Sequence, residues 1–227
     1  MSAGFNCLAI ESATSYCSVA ACVDERVEMV QLADHRASSR HLYQAVHEVF
    51  ERLGLKPAML DCVAFGCGPG SFTGVRIAAA AAQGIAFAQS VPVCRVSTLA
   101  AMAVAAGAAA RDLPVAVCMD ARQAEVYLGI YGWDAAGQPM ALQPDALLRP
   151  TELLLESRYG PMLAVGSGWS VWPELQARNK ALLAGVMPDL WPDALSILTI
   201  ARKQFAAGQV VAPAEALPNY IRNQVTQ

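Results

Sequence analysis

The chain has 227 residues, 55% of them hydrophobic and 15% charged, a composition that supports a buried core and excludes an intrinsically disordered protein. This length predicts one large domain or two small ones. The net charge is −3 and lysine occurs only at Lys56, Lys180 and Lys203, so nucleic-acid binding by this chain alone is not expected, although a site shared with a basic partner stays open.

The first half of the sequence alternates strand-like and helix-like segments. Apolar runs separated by short polar turns predict strands at Phe5–Glu11, Tyr16–Cys22, Val27–Leu32, Cys62–Gly66 and Pro92–Val96. Apolar residues at helical spacing predict a helix over Ser38–Leu53, capped by Ser38 or Ser39. Small residues predict a second helix over Val75–Ala88, and Ser97 caps a third that runs to about Ala110.

The second half restarts the same pattern in a shorter form. Strands are predicted at Pro114–Met119, at Glu125–Tyr131, within residues 140–148 and at Met162–Gly166. A short helix is predicted at Thr151–Glu156 and a last one at Ala194–Ala207. With a boundary at Arg111–Pro114, we expect an N-terminal domain of residues 1–111 and a reduced C-terminal domain of residues 112–227. Two such α/β halves are typical of the actin/Hsp70-like ATPase fold, also called the ASKHA or ribonuclease H-like fold.

Two turns lie where an active ATPase of this fold would grip phosphate. Glu11 begins the first, and no glycine follows it between the predicted strands, so backbone N–H groups have no open path to a phosphate. A polar turn closed by Ser and Thr is the alternative. Asp120 begins the second turn, where Arg122 and Gln123 would fill the phosphate space, and an Asx-turn closed by an Asp–Arg pair is the preferred interpretation.

A glycine-rich loop is the most distinctive string in the chain. It leads from a buried strand into a helix whose free N–H groups favour an anion. It matches neither G-x-G-x-x-G, nor the Walker A pattern, nor G-x-S-x-G. A tight structural turn that aims the helix is therefore an equally good interpretation. The loop consists of Gly68, Pro69, Gly70, Ser71, Phe72, Thr73 and Gly74.

Histidine and cysteine patterns predict no metal site. His35, His41 and His47 are six residues apart, whereas a helical metal pair needs a spacing of three or four. No two of the seven cysteines form Cys-x-x-Cys, and most lie in apolar runs, so we expect buried thiols in a reducing compartment. No signal peptide is expected, and the uncharged stretch Ile77–Cys94 favours a buried helix and strand over a membrane span. We therefore expect a cytoplasmic protein.

Several strings together resemble the TsaB (YeaZ) family of tRNA threonylcarbamoyladenosine biosynthesis proteins, and the resemblance covers essentially the whole chain. The segment Gly68–Ile77 (GPGSFTGVRI) is the hallmark of that family. The position of Glu11 usually holds Asp, a departure that puts any residual nucleotide site in doubt. The other matching strings are Ala9–Thr14, Cys17–Ala20, Ala82–Gly84, Asp120–Arg122, Glu125–Tyr127, Gly166–Trp169, Trp172–Pro173 and Tyr220–Asn223.

The resemblance implies a non-catalytic subunit that pairs with TsaD, the transferase acting on the adenosine beside the tRNA anticodon. It also implies a P-loop ATPase partner, TsaE, indirect contact with tRNA, self-pairing when TsaD is absent, and no cofactor except a nucleotide at a subunit interface. The family's contact surface is built from the first two helices, so charges at Leu42 or Ala80 are expected to break the complex and spare the fold. The implied contact residues are Ser39, Leu42, Ala45, Val46, Val49, Arg76, Ala79, Ala80 and Gln83.

Two other classes of function remain open from the sequence. A small-molecule kinase would need phosphate-loop glycines and a cleft Asp, and a metalloprotease-like hydrolase would need His-Glu-x-x-His or an equivalent. The sequence contains neither set. A nucleotide sensor that binds ATP without hydrolysing it is the third possibility.

Overall fold

A computed structural model describes residues 4–32, 39–110 and 112–221. The chain divides into two compact units. The first unit comprises Met1–Ala101 and Pro192–Asn219, and the second comprises Met102–Trp191 and Tyr220–Gln227. Each unit contains one five-stranded sheet.

Strands and helices alternate along the described residues. The strands are β1 (Asn6–Glu11), β2 (Ser18–Val23), β3 (Arg26–Gln31), β4 (Cys62–Gly66), β5 (Val93–Val96), β6 (Val115–Arg122), β7 (Glu125–Trp133), β8 (Pro139–Leu148), β9 (Met162–Val165) and β10 (Leu183–Met187). The helices are α1 (Ser39–Leu53), α2 (Phe72–Gln89), α3 (Thr98–Ala105), α4 (Gly168–Val171), α5 (Pro173–Asn179) and α6 (Ala194–Ala206).

The sheet of the first unit has the order β3-β2-β1-β4-β5, antiparallel between β3, β2 and β1 and parallel between β1, β4 and β5. Side chains alternate between the two faces of each strand. Leu8 and Ile10 of β1 belong to the core formed with α1 and α2. The intervening positions face α6, where the Cys94 Sγ lies 3.7 Å from the Ala201 carbonyl oxygen.

The second unit has the sheet order β10-β9-β6-β7-β8 and a core centred on Trp169. The Trp169 ring is fully buried, and its Nε1 donates to the Ala116 carbonyl at 3.1 Å. Asn179, also buried, accepts from the Leu155 N–H at 2.8 Å and donates to the Leu175 carbonyl at 2.9 Å. These bonds satisfy polar groups that would otherwise be buried without partners.

The predicted α/β architecture is confirmed, with local differences. The second helix begins at Phe72 instead of Val75, because the Ser71 side chain accepts from the Gly74 N–H and caps it. The third helix ends at Ala105, since Gly107 has a φ of 56° and a 3₁₀ turn follows. The predicted helix at Thr151–Glu156 is a single 3₁₀ turn at Pro150–Glu152. Elements α4, α5 and β10 were not predicted, and His35, Ser38, Arg111, Arg222 and Asn223 lie outside the described residues.

The division into units differs from the predicted boundary between residues 111 and 112 in two ways: the first unit ends at Ala101, and α6 returns to it. Its apolar stripe includes Ile197 and Ala201, both fully buried, and it covers the face of the first sheet opposite α1 and α2. The amphipathic pattern of a helix identifies its buried side but not the sheet against which that side packs. The predicted C-terminal domain therefore loses residues 192–219 to the first unit.

All seven cysteines are buried and unbridged, which confirms the predicted burial. Burial raises the pKa of the Cys118 thiol, and the same cause raises the pKa of Cys7. Neutral buried thiols are poor nucleophiles. None of the helices in the described ranges combines the length and apolarity needed to cross a membrane.

Candidate functional site

The turn between β1 and β2 is held by the side chain of Glu11, which is fully buried. Its Oε1 accepts from the Ala13 N–H at 2.6 Å, and its Oε2 accepts from the Thr98 hydroxyl at 3.2 Å. Loss of solvent raises the pKa of this carboxyl to about 7, against the lowering effect of those hydrogen bonds. Glu11 therefore acts as an internal anchor and does not present a carboxylate to an open site; of the predicted Ser and Thr bonds, Thr14 makes one within the turn, accepting from the Tyr16 N–H at 3.1 Å.

The glycine-rich loop packs directly against that turn. A Cβ atom at Gly70 would overlap Ala13, and one at Gly74 would overlap the Ser12 carbonyl oxygen. The Ser71 N–H donates to the Ala13 carbonyl at 2.6 Å, and the Ser12 hydroxyl donates to the Gly74 carbonyl at 2.8 Å. These contacts account for two of the motif's glycines by close packing within the chain, which favours the structural-turn interpretation of the loop.

A third glycine of the loop has a conformational role. Gly68 has a φ of 94°, a region that side-chain-bearing residues avoid, and the Gly68–Pro69 peptide is cis. The Gly68 N–H donates to the Thr98 hydroxyl at 3.2 Å, and its carbonyl accepts from the Thr98 N–H at 2.9 Å. Thr98 thus links the loop to Glu11 and to the start of α3.

The turn at Asp120 in the second unit is also closed by local contacts. The Asp120 Oδ1 accepts from the Arg122 backbone N–H and from the Trp172 Nε1, both at 3.4 Å. The predicted Asx-turn is present, with the Arg122 backbone as the donor. Arg122, Gln123 and Ala124 have φ angles of 59°, 54° and 57°, so this hairpin turns through three consecutive left-handed residues without glycine.

An open apolar depression of about 300 Å³ lies between α1 and α2 on the surface of the first unit. Phe72 and Tyr43 border it with exposed fractions of 53% and 50%. The Arg76 guanidinium stacks on the Phe72 ring, 3.2 Å from its centroid, and its Nη1 donates to the Phe72 carbonyl at 3.2 Å. The lining residues are Leu42, Tyr43, Phe72, Thr73, Arg76, Ile77, Ala80 and Ala81.

The solvent side of α2 continues this apolar surface along the helix. Ala80 and Gly84 are exposed at its middle, and Phe87 near its end is 79% exposed. Helical spacing places these residues on the same side as Arg76. Nothing lies within 4 Å of the position that a Cβ of Gly84 would occupy. We call Tyr43, Phe72, Thr73, Arg76, Ala80, Gly84 and Phe87 the docking face.

The structure places the nine residues of the implied contact surface in different environments. Arg76 and Ala80 are exposed, Gln83 is half-buried, and the Ser39 side chain lies outside what the structure describes. Five others are buried in the core of the first unit, namely Leu42, Ala45, Val46, Val49 and Ala79.

The four α1 residues are buried because the apolar stripe of α1 packs on β2 and β3. Leu42 contributes only to the floor of the depression, and a charge there would be buried at a cost to the fold, contrary to expectation. The exposed aromatics Tyr43 and Phe87 were not among the predicted contact residues. For Tyr43 the signal in the sequence is an aromatic residue off the apolar stripe of α1, whereas Phe87 has no such signal because small residues occupy every side of α2.

The two histidines that the structure describes lie on α1. His41 and His47 are exposed, and the His47 Nδ1 lies 3.6 Å from the Glu51 carboxylate on the next turn of α1. Over the residues that the structure describes, no group of three or more His, Cys, Asp or Glu side chains could hold a metal ion.

A family model described as "TsaD: tRNA N6-adenosine threonylcarbamoyltransferase" matches residues 31–166. The chain is 35% identical over 221 residues to the Escherichia coli K12 tRNA threonylcarbamoyladenosine biosynthesis protein TsaB, covering 96% of this chain and 95% of that one. The chain belongs to the TsaB family. The Haemophilus influenzae TsaB protein is 31% identical over 227 residues, with 96% and 94% of the two chains covered.

Solved structures of the TsaB family agree over almost the whole chain. YeaZ from Pseudomonas aeruginosa superposes with a TM-score of 0.87 at 32% identity, covering 95% of this chain and 99% of that one. A second Pseudomonas aeruginosa structure, described as similar to peptidase YeaZ, has a TM-score of 0.88 at 32% identity, with 96% and 100% covered. The predicted TsaB resemblance and the predicted actin/Hsp70-like fold are confirmed.

Proposed function

We propose that this TsaB-family chain is a non-catalytic, cytoplasmic subunit in tRNA threonylcarbamoyladenosine biosynthesis. It holds a TsaD-like transferase subunit on the docking face. The observation that carries the proposal is the exposed apolar surface on α1 and α2, with Phe72 and Tyr43 at the mouth of the depression. Exposed aromatics around a pocket are typical of residues that dominate binding energy at protein interfaces.

The absence of catalysis is supported by the two turns at which a working ATPase would hold phosphate. Glu11 is buried and bonded to its own turn, and the glycine-rich loop is occupied by Ser12 and Ala13. At the second turn, the side chain of Asp120 accepts from the Arg122 backbone and from Trp172. Because these groups form internal hydrogen bonds, they stabilise the fold and do not bind phosphate. The chain therefore acts through its surface.

The remaining partners follow from the same role. We propose that a TsaE-like P-loop ATPase joins the complex and that tRNA is contacted through the complex, consistent with the low Lys content and the net charge of −3. A nucleotide would bind only at an interface with partner subunits. When the transferase is absent, a second copy of this chain would cover the docking face, because exposed apolar surface favours self-association.

The test is reconstitution from purified components. We expect this chain to co-elute with the TsaD-like subunit in size-exclusion chromatography and to show no threonylcarbamoyl transfer or ATP hydrolysis alone. Transfer to tRNA by the TsaD-like and TsaE-like proteins should depend on adding it. Turnover by the isolated chain, or full transfer without it, would contradict the proposal.

Gly84→Ala gives a separate test of close approach at the docking face. A glycine inside a helix costs about 1 kcal/mol relative to alanine, and no atom of this chain crowds the site. We expect the variant to raise the free energy of unfolding by about 1 kcal/mol in urea titrations while weakening TsaD-like binding in calorimetry. Unchanged affinity would show that the partner does not approach the backbone there.

A further inference from the structure

The turn Glu11–Ala13 lies against the inner side of α2, away from the docking face. The Ser12 hydroxyl donates to the Gly74 carbonyl at 2.8 Å, and the Ser71 N–H donates to the Ala13 carbonyl at 2.6 Å. Both bonds join the turn to the cap and first turn of α2. The start of this helix is therefore tied to β1 and β2 by specific hydrogen bonds.

The turn and the start of α2 pack so closely that no side chain fits at position 74. Because a Cβ at Gly74 would overlap the Ser12 carbonyl oxygen, and that oxygen belongs to the backbone, any side chain at position 74 forces the helix or the turn to move. A side-chain atom could rotate away, but a backbone oxygen cannot. Direct contact with Ser12 thus sets the distance between the first turn of α2 and the Glu11–Ala13 turn.

The turn itself is fixed from its other side. Glu11 is fully buried and accepts hydrogen bonds from the Ala13 N–H and the Thr98 hydroxyl. The Thr98 hydroxyl in turn accepts from the Gly68 N–H at the start of the motif loop. The turn cannot shift without breaking bonds to α3 and to the loop.

The same first turn of α2 carries part of the docking face on its opposite side. Phe72, Thr73 and Arg76 line the depression, whereas Gly74 contacts Ser12. We infer that the Glu11–Ala13 turn holds the first turn of α2 in position, and that Ser12 and Gly74 are positioning residues for partner binding. They act through Phe72 and Arg76 without touching the partner. This inference rests on the proposed function for its effect on affinity.

The experiment compares Gly74→Ala and Ser12→Ala with Ile197→Val, a core substitution on α6 at the opposite face of the sheet. Three quantities are measured: the Tm, amide hydrogen exchange along α2 in the isolated chain, and affinity for the TsaD-like subunit. We expect Gly74→Ala to speed exchange in the first turn of α2 but not its last turns, and to weaken binding about tenfold. Ser12→Ala should act in the same direction to a smaller extent. Ile197→Val should lower the Tm without either effect.

The outcomes distinguish the positioning role of the Glu11–Ala13 turn from the proposed function. If the wild-type chain does not bind the TsaD-like subunit, the proposed function fails, and exchange in the first turn of α2 still decides whether Ser12 and Gly74 position the helix. Unchanged exchange there would overturn the inference, as would wild-type affinity in a Gly74→Ala chain whose Tm is lowered. If Gly74→Ala does not fold, Ser12→Ala carries the same comparison.

Discussion

Ala80→Glu is expected to abolish co-elution with a TsaD-like subunit and to weaken binding by at least about 100-fold, because charges buried in an interface without a partner cost several kcal/mol. Ala80 is exposed and lines the depression at the centre of the docking face. The free chain keeps the new carboxylate in water, so its fold is spared. Calorimetry measures the affinity, and thermal unfolding checks the fold.

Ala177→Glu is the matched control for this substitution. Ala177 is an exposed alanine on α5 in the second unit, so the same change in size and charge occurs on a helix outside the docking face. We expect wild-type affinity for Ala177→Glu and a similar Tm for both variants. Equal loss of binding in the two variants would indicate a general effect of charge, and intact binding by Ala80→Glu would remove the docking face from the proposal.

Glu11→Gln is expected to stabilise the chain at pH 8 and to have little effect at pH 5. Burial raises the pKa of Glu11 to about 7 in the folded state from 4.5, so the folded chain binds the proton more tightly than the unfolded chain does. The wild type therefore loses stability as the pH rises from about 4.5 through 7, by roughly 3 kcal/mol in total. Glutamine does not ionise and avoids this loss.

The net gain is smaller than that loss, because the amide must donate where the carboxylate accepted from the Thr98 hydroxyl. Rearranging this bond costs about 1 kcal/mol, which leaves about 2 kcal/mol at pH 8. Urea unfolding of both chains at pH 5 and pH 8 measures the difference. Glu174→Gln, at an exposed position of α5, is the control for loss of an acidic side chain. A Glu11→Gln chain less stable than the wild type at pH 8 would show that the bonds made by the carboxylate outweigh its burial.

Much of the fold could be read from local sequence patterns. Continuous apolar runs identified β1, β2 and β4, which are buried on both faces, and helical spacing identified α1 and α6, each of which buries one side. The string Gly68–Ile77 identified the family. Elements α4, α5 and β10 escaped detection because they are short and only partly buried, so their periodicity is weak.

The candidate site could be predicted as two helices but not as a set of contact residues. Leu42, Val46 and Val49 have the spacing of a contact stripe, yet that stripe packs on β2 and β3 in the core of the first unit. Ala79 and Ala80 are adjacent and chemically identical, and only their rotation about the helix axis separates a buried side chain from an exposed one. The exposed Phe87 was visible in the sequence but had no pattern to place it outside.

The sequence by itself determined the type of most elements, the missing phosphate-loop glycines and membership of the TsaB family. Only the tertiary structure decided that α6 covers the first sheet, that Glu11 is buried, and that Gly70 and Gly74 pack against the turn at Ser12 and Ala13. The physical reason is the separation along the chain of the residues that interact. Periodicity and turn chemistry act over a few neighbouring residues, whereas burial and close backbone contact depend on segments far apart along the chain.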